Sequence, residues 1–147
     1  MFEIKAEIII NRPIETVFGF VSDNENDPQW CVPVLETVRV AGDKPAVGAK
    51  YKYVSEMMGP FKARGEFTIT AFAPPTHVAW EGRTTVGSFK GSYQLETVEG
   101  GTRVVEANTF ELKGFFRLMD SKMRQQLPLG YETQLQRLKT LLEAQNG

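Results

Sequence analysis

Residues 2–10 alternate: Phe2, Ile4, Ala6, Ile8 and Ile10 are apolar, with the charged Glu3, Lys5 and Glu7 between them. Period two predicts a strand with one buried face, because successive side chains leave a pleated backbone on opposite sides. Asn11, Arg12 and Pro13 end that pattern. Proline is well tolerated in the first turn of a helix, where its missing N–H would have no partner anyway. Val17, Phe18, Phe20 and Val21 then follow at helical spacing, so a short helix is expected over residues 13–21. The stretch DNENDPQWCVP, residues 23–33, is rich in turn formers around Trp30 and predicts one helical turn or an ordered loop pinned by the indole.

From Val34 to Leu112 the chain divides into alternating segments separated by Gly, Pro and Asn/Asp/Thr turns, and strands are predicted over 34–41, 48–57, 61–73, 77–84, 88–98 and 102–112. The clearest sets Phe61, Ala63, Gly65, Phe67, Ile69 and Ala71 against Lys62, Arg64, Glu66, Thr68 and Thr70. Similar alternation in Phe89, Gly91, Tyr93 and Leu95, with short turns at Met58-Gly59-Pro60 and Glu99-Gly100-Gly101, implies an antiparallel meander with one dry face. The parity of the last strand is open: either Val105, Ala107 and Thr109 face inward, or Val104, Glu106, Asn108 and Phe110 do. The second choice buries a carboxylate, which then needs a partner such as Arg83 or Arg103, or an upward shift of its pKa.

A one-sided sheet needs a cover. Phe116, Met119, Met123, Leu127, Tyr131, Leu135, Leu138 and Leu142 recur in steps of three or four, one apolar stripe along a C-terminal helix of about thirty residues. Pro128 interrupts that helix, although proline in a helix interior costs about 3 kcal/mol. Proline also releases the carbonyl of Arg124 and favours a bend. The expectation is that the first half of the helix arches away from the sheet and leaves a cavity, bordered by Phe115, Phe116 and the adaptable thioethers of Met119 and Met123.

Composition narrows the picture. The 147 residues, 41% hydrophobic, with 17 basic against 18 acidic side chains and a formal charge of -1, describe one domain over 1–147 and no basic footprint for nucleic acid. The apolar runs are a few residues long, far below the roughly 20 that span a bilayer, and residues 1–11 lack the pattern of a secretory signal. Cys31 is the only cysteine, which excludes an internal disulfide and fits a reducing, cytoplasmic setting.

Candidate chemistry is sparse. His77, the sole histidine, opens a strand where a rim position is expected, and Cys31 reads as a partly buried structural thiol. No metal or cofactor motif is present, and no phosphate-cradling glycine loop. What remains is a set of rings and thioethers able to line an apolar pocket: Trp30, Tyr51, Tyr53, Met57, Phe61, Phe67, Trp80, Phe89, Tyr93, Phe116, Met119 and Met123. Met57 and Met58, at a hairpin tip, suit an adaptable gate over its mouth, and a buried Glu106 would be a candidate for proton transfer.

The element order and several signposts resemble the helix-grip proteins, the START-like or SRPBCC superfamily, over nearly the whole chain. These are the opening from Ile8 to Phe18, then Val21-Ser22-Asp23, Trp30 with Pro33-Val34, Val47-Gly48-Ala49, Ala73-Pro74-Pro75 before Trp80, and Gly100 to Val104. The resemblance implies an α+β fold: a seven-stranded curved antiparallel sheet gripping a long C-terminal helix, two short helices between strands 1 and 2, and a deep apolar pocket. The polyketide cyclase/dehydratase and lipid-transport branch is closest in size and element order.

Three functions follow as expectations. The first is binding of a hydrophobic small molecule (lipid, isoprenoid or polyketide-like) by a carrier or sensor, monomeric or homodimeric. The second is a polyketide cyclase/dehydratase-type enzyme using Tyr51, Tyr53, Tyr93 or Glu106 in the same pocket. The third is a co-chaperone-like interaction domain.

Overall fold

A computed structural model describes residues 2–31, 33–56 and 60–145. Strand β1 (Phe2–Ile10) leads into helix α1 (Ile14–Val21), a 3-10 segment (Asn24–Gln29), and strands β2 (Val34–Ala41), β3 (Lys50–Glu56), β4 (Lys62–Ala73), β5 (His77–Thr84), β6 (Gly87–Val98) and β7 (Gly101–Leu112). A second 3-10 segment (Gly114–Met119) precedes helix α2 (Asp120–Glu143). The strands form one antiparallel sheet in the order β1-β7-β6-β5-β4-β3-β2, a meander whose first strand closes onto its last. The architecture is the expected helix grip.

The period-two pattern succeeds wherever the ladder is regular and fails where it is not. In β4 the register shifts between Ile69 and Ala71, because a bulge adds one residue on that side of the pair with β5. After it Phe72, not Ala71, packs on the core, its ring edge-on to Phe18 at 5.5 Å. Phe61, expected at the start of the dry face, precedes β4 and stands 70% exposed. With no partner strand established at that point, alternation no longer assigns a face.

β7 settles its own parity: Thr102, Val104, Glu106 and Asn108 are buried. Across the concave face, rings sit opposite glycines in register, with Tyr53 facing Gly65, Phe67 and Phe89 flanking Gly82, and Trp80 facing Gly91. A Cβ would lie 2.6 Å from the Tyr53 ring at Gly65, 2.7 Å from the Phe89 ring at Gly82 and 2.5 Å from the Trp80 indole at Gly91. Each ring therefore lies across the backbone of the next strand, a close approach only glycine allows.

The main core joins α1, the inner face of the sheet and the C-terminal part of α2, where Leu135, Leu138 and Leu142 are fully buried. That end is also pinned by polar groups. Lys139 Nζ donates to the Ile9 carbonyl at 2.9 Å, and the Asn11 N–H donates to Glu143 Oε2 at 2.7 Å. The other end rests on a smaller cluster of Phe2, Ile4 and Leu112, against which Phe116, Met119, Met123, Leu127 and Tyr131 are half-buried. α2 runs unbroken through Pro128, so the expected interruption takes the form of a change in packing along one continuous helix.

Candidate functional site

Between the first half of α2 and the sheet lies a cavity of about 490 Å³, a size that suits a small organic ligand. Its apolar wall comes from Phe67, Trp80 and Phe89 on the sheet and from Met119, Met123 and Leu127 on the helix side. Glu56, Lys122 and Gln126 also border it and are exposed, so the cavity opens to solvent between the end of β3 and the start of α2.

Of the sequence-predicted ligand residues, Tyr53, Phe67, Trp80, Phe89, Tyr93, Met119 and Met123 meet at this cavity. Trp30 and Tyr51 lie behind the wall, fully buried: Trp30 packs 5.9 Å from Tyr93, and Tyr51 stacks on Phe67 at 5.1 Å. Phe116 joins the satellite cluster and meets Phe115 edge-on. Phe61 is turned to solvent away from it. Met57, with Met58 of the proposed gate, falls outside the described residues.

The opposite end of the cavity is polar, built from four elements. Glu106 of β7 is 3% exposed, and Gln134 of α2 donates to it from Nε2, at 3.0 Å to Oε1 and 3.3 Å to Oε2. Asn108 Nδ2 lies 3.4 Å from Oε2. These partners are neutral amides. Arg83 and Arg103, anticipated as counter-charges, are instead engaged by Glu66 and by Glu7 with Glu96 on the outer face, because odd and even positions of a strand face opposite sides. Burial therefore dominates, and it pushes the Glu106 carboxyl up to about 7, with the two amides opposing the shift.

Asp27, in the 3-10 segment, is a second buried carboxyl at this end. Asn24 Nδ2 donates to its Oδ2 at 3.1 Å. Burial raises its pKa well above the ordinary carboxylate range, against the Asn24 hydrogen bond and with some help from the charge of Glu106. Burial likewise raises the Cys31 thiol and the Tyr93 and Tyr131 hydroxyls, so all three stay neutral at physiological pH. His77 opens β5 and is half-buried but does not border the cavity.

Sequence reasoning missed Asn24, Asp27, Asn108 and Gln134 as site residues. DNENDP reads as turn chemistry, and only the fold, which packs that segment against β2, brings it to the cavity. Gln134 did leave a signal: it is a polar residue one step from Leu135 on a helix whose other buried positions are leucines.

A family model described as polyketide cyclase / dehydrase and lipid transport matches residues 1–143. Among solved structures, the chain is similar to a protein from Thermus thermophilus (22% identity, 97% of this chain and 98% of that one, TM-score 0.79). It is also similar to the di-domain ARO/CYC BexL from the BE-7585A biosynthetic pathway (14% identity, 99% of this chain and 51% of that one, TM-score 0.77). Ara h 8.0201 shares the fold as well, at 16% identity over 98% of this chain and 99% of that one, with a TM-score of 0.72. No curated protein matches the chain at a significant level. Among the described residues, no helix is long and apolar enough to cross a membrane.

Proposed function

The chain belongs to the polyketide cyclase/dehydrase and lipid transport family, and from that premise we propose that its cavity binds a hydrophobic small molecule (lipid, isoprenoid or polyketide-like) as a cytoplasmic carrier or sensor. The observation that carries this reading is the cavity of about 490 Å³ under the loosely packed half of α2, walled by rings and thioethers. A side-chain-filled grip would have no reason to leave Met119, Met123 and Leu127 half-buried over open space, since each unfilled contact forfeits dispersion energy.

Titration with a neutral apolar fluorophore tests it. The expected result is saturable one-to-one binding, weakened more than about tenfold by Met123→Trp, which places an indole in the chamber. The reading fails if the wild-type chain binds no apolar probe and native mass spectrometry finds no retained apolar ligand.

A second reading has its own support. A carboxyl with a pKa of about 7, facing a cavity together with two neutral phenols, suits general acid–base work near neutral pH. In the cyclase/dehydratase alternative, Glu106 moves the proton while Tyr93 and Tyr131 orient a carbonyl chain. Turnover of a poly-carbonyl substrate that is lost in Glu106→Gln, with binding retained, would favour this over the carrier.

A further inference from the structure

The polar end of the cavity has an imbalance that apolar binding leaves unexplained. It holds two buried acids and, among the described residues, no buried cation. Asp27 and Glu106, from separate elements, present two buried carboxyl groups to one space. The cationic side chain among the cavity-lining residues is Lys122, which is exposed on α2 at the opening, away from the two acids. Three buried oxygens there, Asn24 Oδ1, Asp27 Oδ1 and Thr37 Oγ1, meet no hydrogen-bond partner within the protein, although all three residues line the cavity. Unpaired buried polar atoms are costly, and at a binding site a ligand donor can offset that cost for the amide and carboxyl oxygens.

We propose that this end of the cavity recognises the protonated amine of an amphipathic ligand, held between Asp27 and Glu106, while its apolar body lies against Phe67, Phe89 and Met123. The inference rests on the binding function proposed above and narrows it to one ligand class. An ammonium group brings three donors and a positive charge, which the two carboxyl groups and the unpaired Asn24 and Asp27 oxygens are suited to accept. A ligand carboxylate would face two acids. A metal ion fits less well, because among the described residues no three His, Cys, Asp or Glu side chains gather at ligand spacing. Trp80 and Tyr93, 4.8 Å apart in the adjoining wall, offer ring faces that also favour a cation.

The groups facing Glu106 from each neighbouring element are known. They are Ala6 of β1 and Tyr93 of β6, its register partners; Asn108 on its own strand; Tyr131 and Gln134 on α2; and Asp27 and Cys31 from the segment after α1. The Arg137 charge is felt at Cys31. The phenols and the thiol hold their protons at neutral pH, so the carboxyls are the groups that respond. An ammonium ligand must compete with the proton on Glu106, and its binding tightens as pH rises through about 7.

Displacement of the neutral fluorophore N-phenylnaphthylamine from the full chain by octylamine, octanol and octanoate, at pH 6 and pH 8, tests the assignment. Octylamine keeps its charge over this range. At pH 8 it is expected to bind at least about tenfold more tightly than octanol, and to lose about tenfold between pH 8 and pH 6, while octanol changes less than about twofold and octanoate binds most weakly at pH 8. Glu106→Gln should remove both the preference for amine and its pH dependence. Near-ultraviolet circular dichroism checks that this variant is folded, and Asp27→Asn serves as a second variant expected to lose the preference for amine.

Octanol binding as tightly as octylamine at both pH values overturns the amine assignment and leaves the cavity reading standing. An amine preference that survives in both folded variants overturns it too. A wild-type chain that binds neither fluorophore nor any octyl compound overturns the binding function itself.

Discussion

The two halves of α2 cover the same sheet and do opposite things. Gln134, Leu135, Leu138 and Leu142 are buried and anchor the C-terminal half, whereas Met119, Met123, Leu127 and Tyr131 stay half-buried over the cavity and a small cluster. The stripe of apolar residues is continuous through both, so periodicity alone does not separate structural from functional burial. Residue type does so in part: branched leucines fill the dense end, while two unbranched, adaptable methionines and a phenol with a polar tip border the open one together with Leu127. One helix therefore serves as keystone at one end and as roof at the other.

The contrast breaks most visibly at the dense end. Leu138→Ala, at a fully buried position, should cost about 2–5 kcal/mol in urea unfolding through transfer and cavity terms. Equal losses from Leu138→Ala and Met123→Ala would erase the distinction.

Next in size comes the buried carboxyl. Glu106 has its ordinary value near 4.5 in the unfolded chain and about 7 in the fold, so the folded state binds the extra proton between those values. Its contribution is complete below about 4.5 and is lost as pH rises to about 7. Glu106→Gln has no such ramp. It should match the wild type near pH 4.5 and exceed it at pH 8 by up to about 3 kcal/mol, read from denaturation midpoints across pH. Asp27 is raised mainly by burial, which the substitution leaves in place, so most of the difference belongs to Glu106.

At the roof, Met123→Ala should cost about 1 kcal/mol or less, because its side chain leaves a space already vacant, and should alter probe affinity more than stability. Smallest of all, Phe61→Ser should change stability by less than about 0.5 kcal/mol and leave probe binding alone, since the ring is 70% exposed. A large effect on binding would return Phe61 to the site.

How much of this the sequence revealed depends on how local each cause is. The strands, α1 and the covering helix were legible because each is written in its own periodicity, and β4 could be read up to its bulge at Ile69. The apolar wall was legible in part: seven of the twelve proposed residues converge on the cavity, while Trp30 and Tyr51 are large rings used as packing behind it. Of the polar end only Glu106 was legible, as a candidate should it be buried, because Asp27, Glu106 and Gln134 are far apart in sequence and meet only through the closure of the grip. The parity of β7 could not be chosen from its text, since Glu106 and Asn108 are polar on the face that turned out to be inward. Their burial is tolerated because each gains hydrogen-bond partners and Glu106 can hold a proton.

The recumbent rings opposite Gly65, Gly82 and Gly91 have a consequence for how this architecture can diversify. Because each aromatic group rests on bare main chain, the floor of the chamber sits as low as a pleated sheet permits. A single methyl added at Gly65 would meet the Tyr53 ring, tip it upright and raise the floor locally, whereas at Gly82 and Gly91 it would first meet the Glu66 carbonyl and Asn108 Oδ1. Gly65 is thus the position where chamber depth can change with the frame kept, while Gly82 and Gly91 tie the floor to the neighbouring main chain and to the polar end.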